Sequence, residues 1–266
     1  MLYSRKTNVI FGILQVILYL AFLVLDLTEM APDYSVAIKY TIIILCFCYA
    51  FFTKDASKSI FFCSAKVKRL GHSSYFKSNA VLMYKIALFF TVVSDLFLLV
   101  LDVQLLGVLT FIVVQVFYGL RISLVKEHNI VKEFMTRIII QALLTLLLVV
   151  ILMQMKVLIN PLLVVTIFYF IYILTNTLLT IIRVITNTKY KTLSMKLFTS
   201  GMVLFLLCDI NVGLFNMASF VSMPKNIYTL LYSLSSILMW TFYAPSQVLL
   251  AYSTQVTAKE NTNKSV

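Results

Sequence analysis

The sequence predicts an all-α, polytopic transmembrane helical bundle of about eight spans. Three observations predict it. Of the 266 residues, 61% are hydrophobic and only 12% charged; the mean hydropathy is +0.98; and the apolar residues fall in long runs separated by short basic connections. A soluble domain is roughly half apolar and about a quarter charged. Each crossing takes about 20 apolar residues, so eight helices need about 160, which leaves little for an extramembrane domain. Uninterrupted apolar runs exclude the alternating pattern of an outer-membrane barrel. Six Gly and four Pro exclude a collagen-like or flexible low-complexity region. Only helices satisfy every backbone polar group of such runs within one segment.

The first run, 8–25, follows Arg5 and Lys6 in the manner of a signal peptide. No small-x-small cleavage site follows it, since the chain continues through Asp26, Glu29, Pro32 and Asp33, so it reads as a retained span. Further runs lie near 36–52, 80–101, 104–124, 137–155, 161–182, 195–216 and 226–252. Together they make a single transmembrane domain over 1–252, followed by a short tail over 253–266. The stretch from Leu82 to Val125 is too long for one crossing even when tilted, so two antiparallel helices meet in a tight turn at Asp102.

The formal charge is +12, from 22 Lys and Arg against 10 Asp and Glu. Position decides what it means. The N-terminus, the 53–79, 121–137 and 183–196 loops and the tail hold 18 basic residues, whereas the opposite connections hold Lys156 and Lys225. The positive-inside rule then places both termini in the cytoplasm of a multi-pass cell-membrane or inner-membrane protein. Anionic headgroups account for these charges and nucleic acid is not the expected partner. The 53–79 loop, with Lys54, Lys58, Lys66, Lys68, Arg69 and Lys77 around Ile60, Phe61 and Phe62, reads either as an amphipathic segment on the headgroups or as a solvated basic loop. Cys46, Cys48 and Cys208 lie inside apolar runs and Cys63 in a basic loop, which is a poor framework for disulfides or a thiolate metal site. His72 and His128, the only histidines, sit in loops, which excludes zinc hydrolases with intramembrane His ligands. No metal and no cofactor is expected.

Most acids stand at helix ends, but Asp95 in the third span and Asp209 in the seventh are embedded in apolar sequence. A charge there costs several kcal/mol and marks a functional site by default. With both helices running outward, each carboxyl lies about 10 Å below the outer boundary, so a shared cavity is geometrically open to them. Ser94-Asp95 and Cys208-Asp209 each end an apolar half-helix, which suggests a 4+4 repeat with the third and seventh spans in equivalent places. The structural alternative is a buried ion pair, for which Lys39 on the second span is the cation near Asp95. Gln115 and Tyr118 in the fourth span, Asn176 in the sixth, Asn211 and Asn216 in the seventh, and Tyr243 and Gln247 in the eighth are polar groups able to line the cavity. Most of the 11 Met, 21 Phe and 15 Tyr read as lipid-facing filler and interface anchors. Pro245 is expected to kink the eighth helix.

In this order of residues, Asp95, Gly107, Phe111, Tyr118, Asp209, Tyr243 and Gln247, the chain resembles the YhhN-like lysoplasmalogenase family of eight-span membrane proteins over residues 36–250. It departs from the family pattern at Gln115, where a His is usual, and at Tyr40 after Lys39, where a Pro is usual. The resemblance implies hydrolysis of the vinyl-ether bond of lysoplasmalogens, which are lysophospholipids, with Asp95 and Asp209 as catalytic residues. With that substrate, contacts are expected from the polar groups Lys39, Gln115, Tyr118, Asn176, Tyr243 and Gln247. A vinyl ether is cleaved by protonating its carbon–carbon double bond and capturing the oxocarbenium ion with water. Two carboxyls divide that labour as they do in glycosidases, without a metal.

A rival function, from another class, is a non-catalytic lipid-binding or small-molecule transport protein in which the acids carry protons or hold a cationic headgroup. Transporters tend to break helices at the membrane midplane. Here Gly12, Gly107, Gly119, Gly201, Gly213 and Pro245 interrupt the spans mostly near their ends, which favours the enzyme.

Overall fold

The computed structural model describes residues 5–28, 31–53, 72–123, 130–157, 159–188, 191–217 and 224–263. Among them are eight α-helices, each long and apolar enough to cross a membrane. They are α1 (Arg5–Thr28), α2 (Pro32–Phe52), α3 (His72–Asp95), α4 (Gln104–Ser123), α5 (Ile130–Gln154), α6 (Pro161–Thr186), α7 (Leu193–Asn216) and α8 (Lys225–Asn263). The chain is a multi-pass integral membrane protein built as an all-α bundle. The basic loop at 54–71, with Cys63, and the segment at 124–129, with His128, lie outside the described residues.

Local chemistry sets several helix ends. Pro161 occupies the first position of α6, where a missing N–H costs nothing, and the Asn160 side chain accepts from the Leu163 N–H at 2.7 Å. Thr192 caps α7 in the same way through the Met195 N–H at 3.3 Å. Between α3 and α4 the ladder widens into a π-helical turn, Leu96–Val100, and Asp102 takes φ 50°. Such turns concentrate at functional sites, and this one begins immediately after Asp95. Ser94 Oγ donates to the Gly107 carbonyl at 2.5 Å. A Cβ on Gly107 would collide with Leu98, so only glycine lets α4 approach this closely.

Two helices are longer than their apolar runs. His72, read as a loop residue, opens α3. Residues 253–263, read as a tail, continue α8, with Ser253, Thr254, Gln255, Thr257 and Ala258 buried. Polar residues that pack against other helices carry no hydropathy signal, which is why the run ends before the helix does.

The ends of α7 and α8 show why they stay together: the two lie antiparallel over their length. Phe215 stacks on Tyr232 with ring centres 4.4 Å apart, Gly201 faces Leu250 and the Ser246 carbonyl, and Ser194 Oγ donates to Glu260 at 2.8 Å. Helix α4 runs parallel to α6, through Phe111 against Tyr169, Asn176 to Gln115, and Arg183 to the Ile122 carbonyl. Pro245 has no N–H to offer the Thr241 carbonyl, and Tyr19 of α1 donates to that oxygen at 3.4 Å. One aromatic-rich core, including Phe22, Tyr84, Phe111, Phe198, Phe205 and Tyr243, runs through the bundle. Outside it, α1 exposes Ile10, Ile13, Val16, Ile17 and Leu20, and α5 exposes Ile139, Leu143, Leu146 and Leu147. Faces this apolar require lipid as their solvent.

Candidate functional site

Asp95 ends the regular part of α3, and Asp209 lies two turns before the end of α7. Asp95 is buried and Asp209 half-buried. Each accepts a phenolic hydrogen on its Oδ2. Tyr243 of α8 donates to Asp95 at 2.7 Å, and Tyr169 of α6 donates to Asp209 at 2.7 Å. No hydrogen bond from a described residue reaches either Oδ1. A charge-assisted O–H···O bond of this length is strong, and it fixes which face of each carboxyl remains available.

The acids lie within electrostatic reach of one another. Phe111 neighbours both of their tyrosines: its ring centre is 5.8 Å from that of Tyr169 and 6.4 Å from that of Tyr243. Phe205 closes the group, 5.7 Å from Phe111 and 5.4 Å from Tyr243. The two hydroxyl donors come from α6 and α8, which are not equivalent places under a 4+4 repeat.

One turn along α4 from Phe111, Gln115 pairs with Asn176 of α6, whose Nδ2 donates to the Gln115 carbonyl at 2.9 Å and to Oε1 at 3.2 Å. Both residues are fully buried. Gln115 Nε2 and Asn176 Oδ1 have no partner among the described residues, nor has Gln247 Oε1 on α8, whose Nε2 reaches Ser246 Oγ at 3.3 Å. Buried amides of this kind sit where a water or a ligand group would complete them. Tyr118 stands two turns from Phe111 and packs edge-on to Phe198 at 5.6 Å and to Tyr84 at 6.4 Å. The buried Arg121 guanidinium lies against both of those rings, 4.0 Å from the Phe198 centre and 4.4 Å from that of Tyr84, so Tyr118 belongs to that second cluster rather than to the acids.

Lys39 does not pair with Asp95. Its ammonium lies 2.7 Å from Oδ2 of Asp26, at the end of α1. The long stem carries the charge toward the helix ends, where Asp26 is the nearer carboxylate. Asp26, dismissed as a helix-end acid, is thus a partner the sequence reading missed. The sequence singles out neither Tyr169, since most tyrosines read as lipid-facing filler or interface anchors, nor Trp240. The available signal was depth. Tyr169 stands eight residues into α6 and Asp209 seven residues before the end of α7, at matching levels in neighbouring helices. A hydroxyl at that depth must find an acceptor.

No protein-family model matches the sequence, and neither a curated protein nor a solved structure matches the chain.

Proposed function

We propose that the protein is an integral membrane hydrolase, similar to the YhhN-like lysoplasmalogenases, that cleaves the vinyl-ether bond of lysoplasmalogens with both termini in the cytoplasm. The observation that carries this reading is the pair of tyrosine-held acids, Asp95 and Asp209, whose two tyrosines both neighbour Phe111. Intramembrane acids without a cationic partner are functional groups by default. Tyr243 and Tyr169 occupy Oδ2 of each acid and leave Oδ1 for chemistry.

In the reaction one acid gives its proton to the alkene carbon remote from the ether oxygen, which makes an oxocarbenium ion. The other acid takes a proton from a water that attacks that ion, and the hemiacetal collapses to a fatty aldehyde and a glycerol hydroxyl. The proton released at capture replaces the one spent, so the cycle consumes only water. Gln115 Nε2 and Asn176 Oδ1 supply a donor and an acceptor for that water. Two interacting carboxyls share their protons, so the roles belong to the pair. The flanking rings of Phe111 and Phe205 exclude bulk water and stabilise the cation.

Purified protein incubated with alkenyl and with acyl lysophospholipids of the same chain length tests the proposal. Aldehyde from the alkenyl lipid alone is the expected result. No aldehyde from either lipid, with saturable lipid binding, would move the protein to the non-catalytic lipid-binding class.

A further inference from the structure

At the end of the bundle where α1 meets α2, Lys39 Nζ lies 2.7 and 3.0 Å from the two carboxylate oxygens of Asp26. Ser35 Oγ donates to the same carboxylate at 2.5 Å. The side chains retain 11% and 19% of their exposure, so the pair is reachable from outside. The ammonium also lies 5.2 Å from the Trp240 ring centre and 5.6 Å from that of Phe22. A carboxylate beside aromatic faces is the chemistry that receives an alkylammonium. Here the chain's own Lys39 fills that place. An ion pair in apolar surroundings gains little over a well-packed apolar replacement, so stability alone does not account for it.

We propose that the Lys39–Asp26 pair recognises the zwitterionic phospho-base headgroup of a single-chain lipid. The phosphate takes Lys39, and the ammonium takes Asp26 with the faces of Phe22 and Trp240. The exchange keeps every charge paired: one internal ion pair and one zwitterion become two contacts between protein and lipid. A purely anionic headgroup would strand Asp26, and a purely cationic amphiphile would strand Lys39. The placement also fits the proposed chemistry, on which the choice of lipid rests. Trp240 meets Tyr243 edge-on at 5.2 Å, and Tyr243 holds Asp95 at 2.7 Å. Tyr40, next to Lys39, lies within electrostatic reach of Asp95.

Trp240 is the single tryptophan of the chain, so its emission reports on the site without a label. The protein in non-ionic maltoside is titrated with acyl lysophosphatidylcholine, lysophosphatidic acid, an alkyltrimethylammonium and an alkylglycerol of equal chain length, and with glycerophosphocholine. None carries a vinyl ether, so binding is read apart from turnover. The zwitterionic lysolipid should change the emission saturably and bind about tenfold or more tighter than either singly charged amphiphile. Lys39→Met and Asp26→Asn should each remove that preference. Equal binding of the neutral alkylglycerol or of lysophosphatidic acid would overturn the inference, as would an unchanged emission. Glycerophosphocholine binding as tightly as the lysolipid would overturn the lipid assignment. Headgroup-selective binding without aldehyde release elsewhere would fail the hydrolase proposal alone, and aldehyde release without headgroup selectivity would fail this inference alone.

Discussion

The phenol of Tyr243 donates to Oδ2 of Asp95 at 2.7 Å across the α3–α8 contact, joining residues 148 positions apart in the chain. Tyr169 repeats the arrangement on Asp209 from α6. Two carboxyls at the same end of a lipid-bathed bundle are therefore each held by a hydroxyl from a neighbouring helix. Orientation of an acid by a donor that does not itself react has a consequence that can be measured.

Tyr243→Phe and Tyr169→Phe each remove one hydroxyl and little volume. Loss of a hydrogen bond to an ionisable group costs about 1.5–3 kcal/mol, so each should slow aldehyde release by about tenfold or more. KM should change little, because the hydroxyls touch the acids rather than the lipid. Steady-state kinetics of both variants, beside their melting in detergent, checks this. A normal kcat in either would mean that its tyrosine only packs.

The pairing of Lys39 with Asp26 rather than Asp95 predicts which substitutions are coupled. Lys39→Met leaves a carboxylate uncompensated at Asp26, and Asp26→Asn in the same chain should restore most of the lost melting temperature. Lys39→Met with Asp95→Asn should be additive, as expected for sites without a shared contact. Melting curves of the two double-mutant cycles decide. Coupling of Lys39 to Asp95 instead would restore the structural ion pair expected from the sequence.

Two glycines should respond in opposite ways to the same added methyl. Gly107→Ala drives a Cβ into Leu98 and disturbs the approach of α4 to the turn after Asp95. It should cost about 1–3 kcal/mol and lower activity with it. Gly213→Ala meets nothing within 4 Å, so it should leave melting unchanged or raise it. Thermal melting of the pair separates them, and equal effects would contradict the close α3–α4 packing.

The asymmetry of 18 basic residues against Lys156 and Lys225 predicts that both termini face the cytoplasm. Reporter fusions at the C-terminal end and at Lys156 should land on opposite sides of the membrane. Both on one side would contradict the orientation.

Hydropathy made the eight helices and the two embedded acids legible, because a run of apolar residues long enough to cross has one stable conformation in lipid. The acids stood out for the same reason, as charged residues inside such runs. Partners were harder to read. Tyr243 stands among the polar groups the sequence offers for the cavity, but Tyr169 is chemically identical to tyrosines at the interface, and only depth together with helix adjacency tells it apart. Asp26 was passed over because it stands at a helix end, yet Lys39 reaches it along its own stem. The α8 extension through Asn263 escaped because its buried face is built from Ser253, Thr254, Gln255 and Thr257, which read as polar.

Aldehyde release by Asp95→Asn, Asp209→Asn and the double variant, assayed with melting on the same preparations, tests the central claim most directly. Each substitution keeps shape and hydrogen bonding but removes the titratable proton. Acids that act as one unit are strongly non-additive, so either single variant should be inactive and stably folded, and the double no worse than the singles. Variants that melt earlier but keep normal specific activity in the folded fraction would contradict it.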